Sequence, residues 1–380
     1  MQIRYFDNAA TTAVRPEVIK EMIPYLGVEY GNPSSLYTLG RRNHKAIDKA
    51  RLQIAKALNC RSDEIYFTSC GSESDNLAIK GIMYANTNKG KHMITSKIEH
   101  PAVLNTCRWL EKNGYEVTYI NVDENGKIDM EELKSSIRLD TVLISIMFAN
   151  NEIGTVQPIE EIAEIAKQNN VIFHTDAVQA VGNVKIDVQE MKIDALSLSG
   201  HKLYAPKGIG ALYVKNDINF ERIQHGGHQE QNKRAGTENV ASIIALGKAI
   251  ELIYSDFESY NNHLKKLRDF YIKEIEQNIE DIKLNGDRIN RLPGNANISF
   301  KNIDAGQLLL YLDSFGICAS AGSACTAGSL EPSHVLLAIG LKEQYASGTL
   351  RTSFGKDNTI EDVKFLIEKI CAYIKLVNKK

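Results

Sequence analysis

Hydrophobic and polar positions change rhythm repeatedly along the first two thirds of this chain. Short runs rich in apolar residues, EIYFTS (64–69), HMITS (92–96), TVLISIMFA (141–149), VIFHTDA (171–177) and DALSLSG (194–200), have the length and composition of strands. TVLISIMFA is apolar almost throughout, as expected of a strand buried on both faces. Between these runs the apolar positions recur every three or four residues. SESDNLAIKGIMYAN (72–86), HPAVLNTCRWLEKNG (100–114) and PIEEIAEIAKQNN (158–170) therefore read as helices, the second stopping at Gly114 and the third opening at Pro158. Strand then helix, repeated, predicts a mainly parallel sheet covered by helices.

After about Ser255 the pattern changes. Long charged helices such as NNHLKKLRDFYIKEIEQN (261–278) alternate with isolated strands, NISF (297–300) and TLRTSF (349–354), before a final helix. The expected division is a large domain over residues 15–255 and a smaller α+β domain built from 256–380 and completed by 1–14. A chain of 380 residues is too long for one small core. With 43% hydrophobic and 24% charged residues it is neither disordered nor fibrous. A net charge of -2 argues against nucleic acid or an anionic membrane as main partner. No apolar run is long enough to span a bilayer, and MQIRYFDNAATT has no signal-peptide core. The six cysteines form no Cys-x-x-Cys pair and no zinc spacing, so no metal site is expected. A cytoplasmic location is the expectation for such scattered thiols.

Ligands of parallel sheets bind at the carboxyl ends of the strands. No G-x-G-x-x-G follows a strand and no G-x-x-x-x-G-K-[ST] occurs; KGIGALY (207–213) leads into a strand instead of a helix. Nicotinamide and nucleoside-triphosphate chemistry are therefore not indicated. One apolar strand instead ends in His174-Thr175-Asp176, and another in Ser199-Gly200-His201-Lys202. Singly, the aspartate reads as a helix cap and the lysine as a solvated strand end. Together they supply what pyridoxal phosphate requires: an amine for its aldehyde and a carboxylate for its ring nitrogen. TSCGSESDN (68–76) offers a phosphate cup at a helix start, with Ser72, and Ser199 and His201 add donors. His100, before Pro101, can lie flat on a ring. Arg351 in TLRTSFG can grip a substrate carboxylate, and Asn151 adds an amide donor.

These segments, with YFDNAATT (5–12), GNPSSLYTLG (31–40), NNEIGTVQPI (150–159), RAGTEN (234–239) and SAGSACTAGSLEPSHVL (320–336), span nearly the whole chain. In that order they resemble the cysteine desulfurases of the NifS/IscS type, within the fold-type-I pyridoxal-phosphate enzymes. The resemblance implies a large domain with a seven-stranded type of sheet and a homodimer. It implies that Lys202 bonds covalently to the cofactor, that Asp176 pairs with the ring nitrogen and Gln179 with the phenolic oxygen, and that His100 stacks on the ring and helps move protons. Gly71, Ser72, Ser199, His201 and Thr237 would hold the phosphate, Thr237 reaching over from the second subunit. Asn151 and Arg351 would bind the carboxylate of L-cysteine.

The resemblance also assigns Cys325. It stands alone among small residues in SAGSACTAGS (320–329), a segment with few restraints on its backbone. Its thiolate would take the sulfur of the substrate, leaving alanine, and carry a persulfide to a sulfur acceptor or iron–sulfur scaffold protein. Cys318 reads as a buried strand residue and Cys70 as packing beside the phosphate turn. Ser72 stands where many relatives have Thr, and Gln231 where an arginine usually follows the glutamate. The short end, KLVNKK, lacks the longer tail with which relatives often meet a scaffold, so no particular scaffold is expected. A selenocysteine lyase or another enzyme of the same fold is the nearest alternative; its loop is usually of the R-x-G-H-H-C type. A cofactor-free sulfur carrier would need Cys325 but neither Lys202 nor Asp176.

Overall fold

The computed structural model describes residues 2–321 and 333–377. Its strands are, in chain order, β1 (Arg4–Tyr5), β2 (Ile65–Thr68), β3 (His92–Ser96), β4 (Glu116–Ile120), β5 (Thr141–Ser145), β6 (Ile172–Asp176), β7 (Ala195–Ser199), β8 (Gly210–Val214), β9 (Ile282–Leu284), β10 (Asn295–Phe300), β11 (Ile317–Cys318) and β12 (Thr349–Ser353). A seven-stranded sheet has the order β2-β8-β7-β6-β5-β3-β4. All neighbours in it are parallel except those of β8, which runs against β7 and β2. Only residues 200–209 link β7 to β8. That is shorter than a parallel crossover needs, so the chain returns directly.

Strands β3, β5, β7 and β8 are buried at every position. Their side chains, with those of β6, divide between two cores. Ile94, Ile144, Phe173, Leu196 and Leu198 join the helices Thr38–Leu58 and Val240–Ser255 in one. Met93, Val142, Leu143 and Ala195 join the helices Gly71–Ala85 and Pro101–Lys112 in the other. A third core gathers Phe6 with residues between Leu264 and Ile374, around the sheet β12-β10-β9.

Two local expectations change. The apolar run 141–149 leaves the ladder after Ser145, because Ala149 bridges Val156 across a turn with Gly154 at φ +80°. Cys318 lies in a strand as expected but is half-buried rather than buried. Among the described residues β11 pairs only with β1, and alternation sends Ile317 inward and Cys318 to the other side. No helix among the described residues is long and apolar enough to cross a membrane.

Candidate active site

The carboxyl ends of β2, β3, β5, β6 and β7 share one edge of the sheet and open on a cavity of about 210 Å³. Ten of the residues singled out from the sequence line it. Gly71 and Ser72 start the helix after β2, His100 starts the helix after β3, and Asn151 follows β5. Asp176 ends β6 and is followed by Gln179, while Ser199 ends β7 and leads into the turn of His201 and Lys202. Arg351 enters from β12. Thr237 is exposed and does not line the cavity of its own chain. Cys325 lies outside the described residues.

Strands β6 and β7 are adjacent and parallel, with Asp176 opposite Ser197. This register brings the aspartate and the turn carrying Lys202 to one wall. The Asp176 carboxylate is 6% exposed and accepts Val178 N–H at 2.9 Å. Burial raises its pKa; His100, the Val178 N–H and Lys202 pull it back toward the ionised form. Lys202 Nζ donates to the carbonyls of Ala9 (2.5 Å) and Ala10 (2.6 Å). Gln179 Nε2 shares the Ala9 carbonyl at 2.9 Å. The lysine and the glutamine thus rest on the N-terminal segment, which in turn hangs from β12 through Ala9 N–H to Ser353 Oγ at 2.8 Å.

His100 Nδ1 accepts Ala102 N–H at 3.1 Å, so the neutral ring carries its proton on Nε2. Burial lowers its pKa, opposed by Asp176 and reinforced by Lys202 and His334. His201 is pushed down to about 4 by burial and by Lys202, Lys207 and His100, so it is a neutral donor. At the cup, a side chain on residue 71 would meet Val178 Cγ2 at 2.7 Å; glycine keeps the backbone amides at this helix start open. Glu73 in the same turn is paired with Arg234 at 2.8 Å, which offsets its charge beside an anion site.

Sequence reasoning missed the layer beneath. Asp75 is 1% exposed, and its nearest oxygen lies within 4.8 Å of ligand atoms of His100 and Asp176. Burial and Asp176 raise its pKa well above the carboxylate range. His174 is held by Ser145 (2.9 Å) and Ser197 (3.0 Å) and pushed down to about 3 by burial, hence neutral. Asp7 pairs with Arg351 at 2.8 Å. Its motif, YFDNAATT, was visible, but nothing local pointed to a partner in β12.

The chain therefore fits pyridoxal phosphate. An amine and a buried carboxylate share a wall, a glycine lets a phosphate approach a helix start, and a neutral imidazole lines the same cavity.

Residues 4–366 match the family described as aminotransferase class-V. The chain is 53% identical over 373 residues to cysteine desulfurase IscS of Clostridium botulinum (strain Hall), covering 98% of this chain and 94% of that protein. Among solved structures, one titled a NifS-like protein superposes with a TM-score of 0.93 at 35% identity, covering 99% of this chain and all of the other. One titled SspA in complex with cysteine gives 0.83 at 39% identity, covering 94% of this chain and 100% of the other.

Proposed function

The chain belongs to the class-V aminotransferase family, and on that premise we propose that it converts L-cysteine to L-alanine and retains the sulfur as a persulfide on Cys325. It is a pyridoxal-phosphate-dependent cysteine desulfurase in this reading. The observation that carries it is the shared wall of Asp176 and Lys202, with Arg351 lining the same cavity. Pyridoxal phosphate, when bound, draws electrons from the substrate's α-carbon and stabilises the charge left there. Lys202 would hold it covalently, and its amine would take the substrate's α-proton. Asp176 keeps the ring nitrogen protonated, and Gln179 donates toward the phenolic oxygen. Neutral His100 stacks and relays a proton at Nε2. Gly71, Ser72, Ser199 and His201 hold the phosphate. Arg351 and Asn151 orient the carboxylate, which places the substrate's sulfur for the thiolate of Cys325.

The working unit is a homodimer in which Thr237 completes the partner's phosphate site. In support, Thr237 is exposed, and residues 227–231 and Glu238 beside it line a cleft shared with the segment 33–36, whose Leu36 is 88% exposed. The division into residues 15–255 and 1–14 with 256–380 accords with Phe6 packing in the third core. Among the described residues Cys60, Cys70, Cys107, Cys318 and Cys371 are free thiols, which suits the cytoplasm. The persulfide passes on to a sulfur-acceptor protein of iron–sulfur assembly or thiolation.

The purified protein loaded with pyridoxal phosphate should release one alanine per sulfur delivered when given cysteine and a thiol reductant. A protein that binds the cofactor yet transfers amino groups to keto acids, with no sulfide, would refute the assignment; full activity as a monomer would remove Thr237 from the site.

Asp176→Asn should lower kcat/KM by on the order of 10²-fold while the fold survives. An amide fills the same space but provides no counter-charge for the ring nitrogen. Steady-state alanine formation checks this; near-normal turnover would remove Asp176 from its role.

A further inference from the structure

Arg351 lines the cavity with a side chain that is 1% exposed. Among the described residues, two of its five side-chain N–H groups have partners. Nη2 donates to Asp7 Oδ1 at 2.8 Å, and Nη1 donates to the Asn151 carbonyl at 3.1 Å. Nε is buried without one among the same residues. The other Asp7 oxygen, Oδ2, accepts Ser320 Oγ at 2.7 Å. Ser320 is itself bridged to Arg351 through the backbone: Arg351 N–H donates to the Ser320 carbonyl at 2.6 Å, and Ser320 N–H to the Arg351 carbonyl at 3.2 Å. Asp7 is fixed in place by its own bridge to Ser353, two residues along β12.

We propose that Asp7 is a positioning residue for the substrate carboxylate: it fixes the Arg351 guanidinium so that the N–H groups left over are offered to the cavity. The inference rests on the reading of Arg351 as the carboxylate-binding group. Alone, a long arginine side chain samples many rotamers, and fixing it in one on binding costs affinity. A charge-assisted hydrogen bond at one end of the fork, a carbonyl at the other and a backbone bridge beneath remove that freedom before the substrate arrives. Asp7 also supplies the counter-charge that lets the guanidinium stay buried while the cavity is empty of substrate. Because its second oxygen holds Ser320, the arginine and that residue are placed as one unit.

The test uses holoenzyme and L-alanine, the product, which carries the carboxylate but no sulfur. Binding is read from the absorption of the bound cofactor. D7N should weaken alanine about 10-fold by loss of one charge-assisted contact, with the KM for cysteine rising more than kcat falls. D7E, which keeps the charge one methylene further out, should lie between D7N and the parent. Ethylamine, the same amine without the carboxylate, should bind D7N as it binds the parent. Unchanged alanine affinity in both variants would overturn the proposal. So would equal weakening of alanine and ethylamine, since that marks a general defect of the fold. R351K separates the underlying reading: if R351K binds alanine normally, Arg351 is not the carboxylate site and both statements fall, whereas loss in R351K with none in D7N or D7E removes Asp7 alone.

Discussion

Cys325→Ala is expected to abolish alanine formation from cysteine, by roughly 10³-fold or more, while cofactor binding remains. The groups proposed to hold cofactor and substrate, Lys202, Asp176, His100 and Arg351, all line the described cavity and none depends on the thiol. The chemistry does depend on it. In the proposed reaction a sulfur–sulfur bond forms between Cys325 and the substrate as the substrate's carbon–sulfur bond breaks; the freed carbon takes up a proton, and alanine and a protein persulfide result. Without a nucleophile to accept the sulfur, that carbon–sulfur bond has no partner for exchange. Serine should do no better, because its hydroxyl supplies almost no anion at neutral pH. Cys318 cannot stand in: burial and the carboxylates of Asp313 and Asp7 push its thiol up, leaving little thiolate. Cys60 is pushed up to about 12 by burial and by Glu64 and Asp63. Mass spectrometry after one turnover, with alanine assayed in parallel, decides the matter. Normal alanine release by Cys325→Ala, or a persulfide on Cys318 or Cys70 in the parent, would sink the assignment.

Lys202→Ala should remove both the covalent attachment of the cofactor and at least ~10³-fold of the turnover. The amine sits in a three-residue turn after β7, and its two carbonyl contacts to Ala9 and Ala10 hold it on the cavity wall. A proton-transfer group must be placed to within hydrogen-bond reach of the atom it serves, so losing it takes away catalysis beyond what binding alone supplies. Borohydride reduction of the parent holoenzyme should label a peptide containing Lys202, and the variant should carry no label. Exposed Lys207, five residues on, is the internal control. A label on Lys207, or turnover by Lys202→Ala within tenfold of the parent, would overturn the role.

Much of this could be read before any coordinates. The strands around Asp176 and Lys202 are local apolar runs, and their ends place an amine and a carboxylate at the edge where parallel sheets bind ligands. Gly71 and His100 were legible for the same reason: each sits at a strand-to-helix junction, and junctions are marked by short-range signals. The direction of β8 was not, because the period of an apolar run does not state which way the strand points; the shortness of the link after β7 decides it.

Local signals alone thus yielded the strands and helices around the site, the residues at their junctions and the class of cofactor they suit. These depend on neighbours within a few positions. The folded chain alone shows that Asp7 meets Arg351 across 344 positions of chain, that the Ala9 carbonyl serves both Lys202 and Gln179, and that Asp75 lies buried beside Asp176. It likewise left Cys318 half-buried, since exposure of an alternating side chain depends on what covers that face of the sheet. The physical reason is common to all four: a hydrogen bond or a burial between distant segments forms only when chain closure brings them together, and local propensity carries no term for the partner.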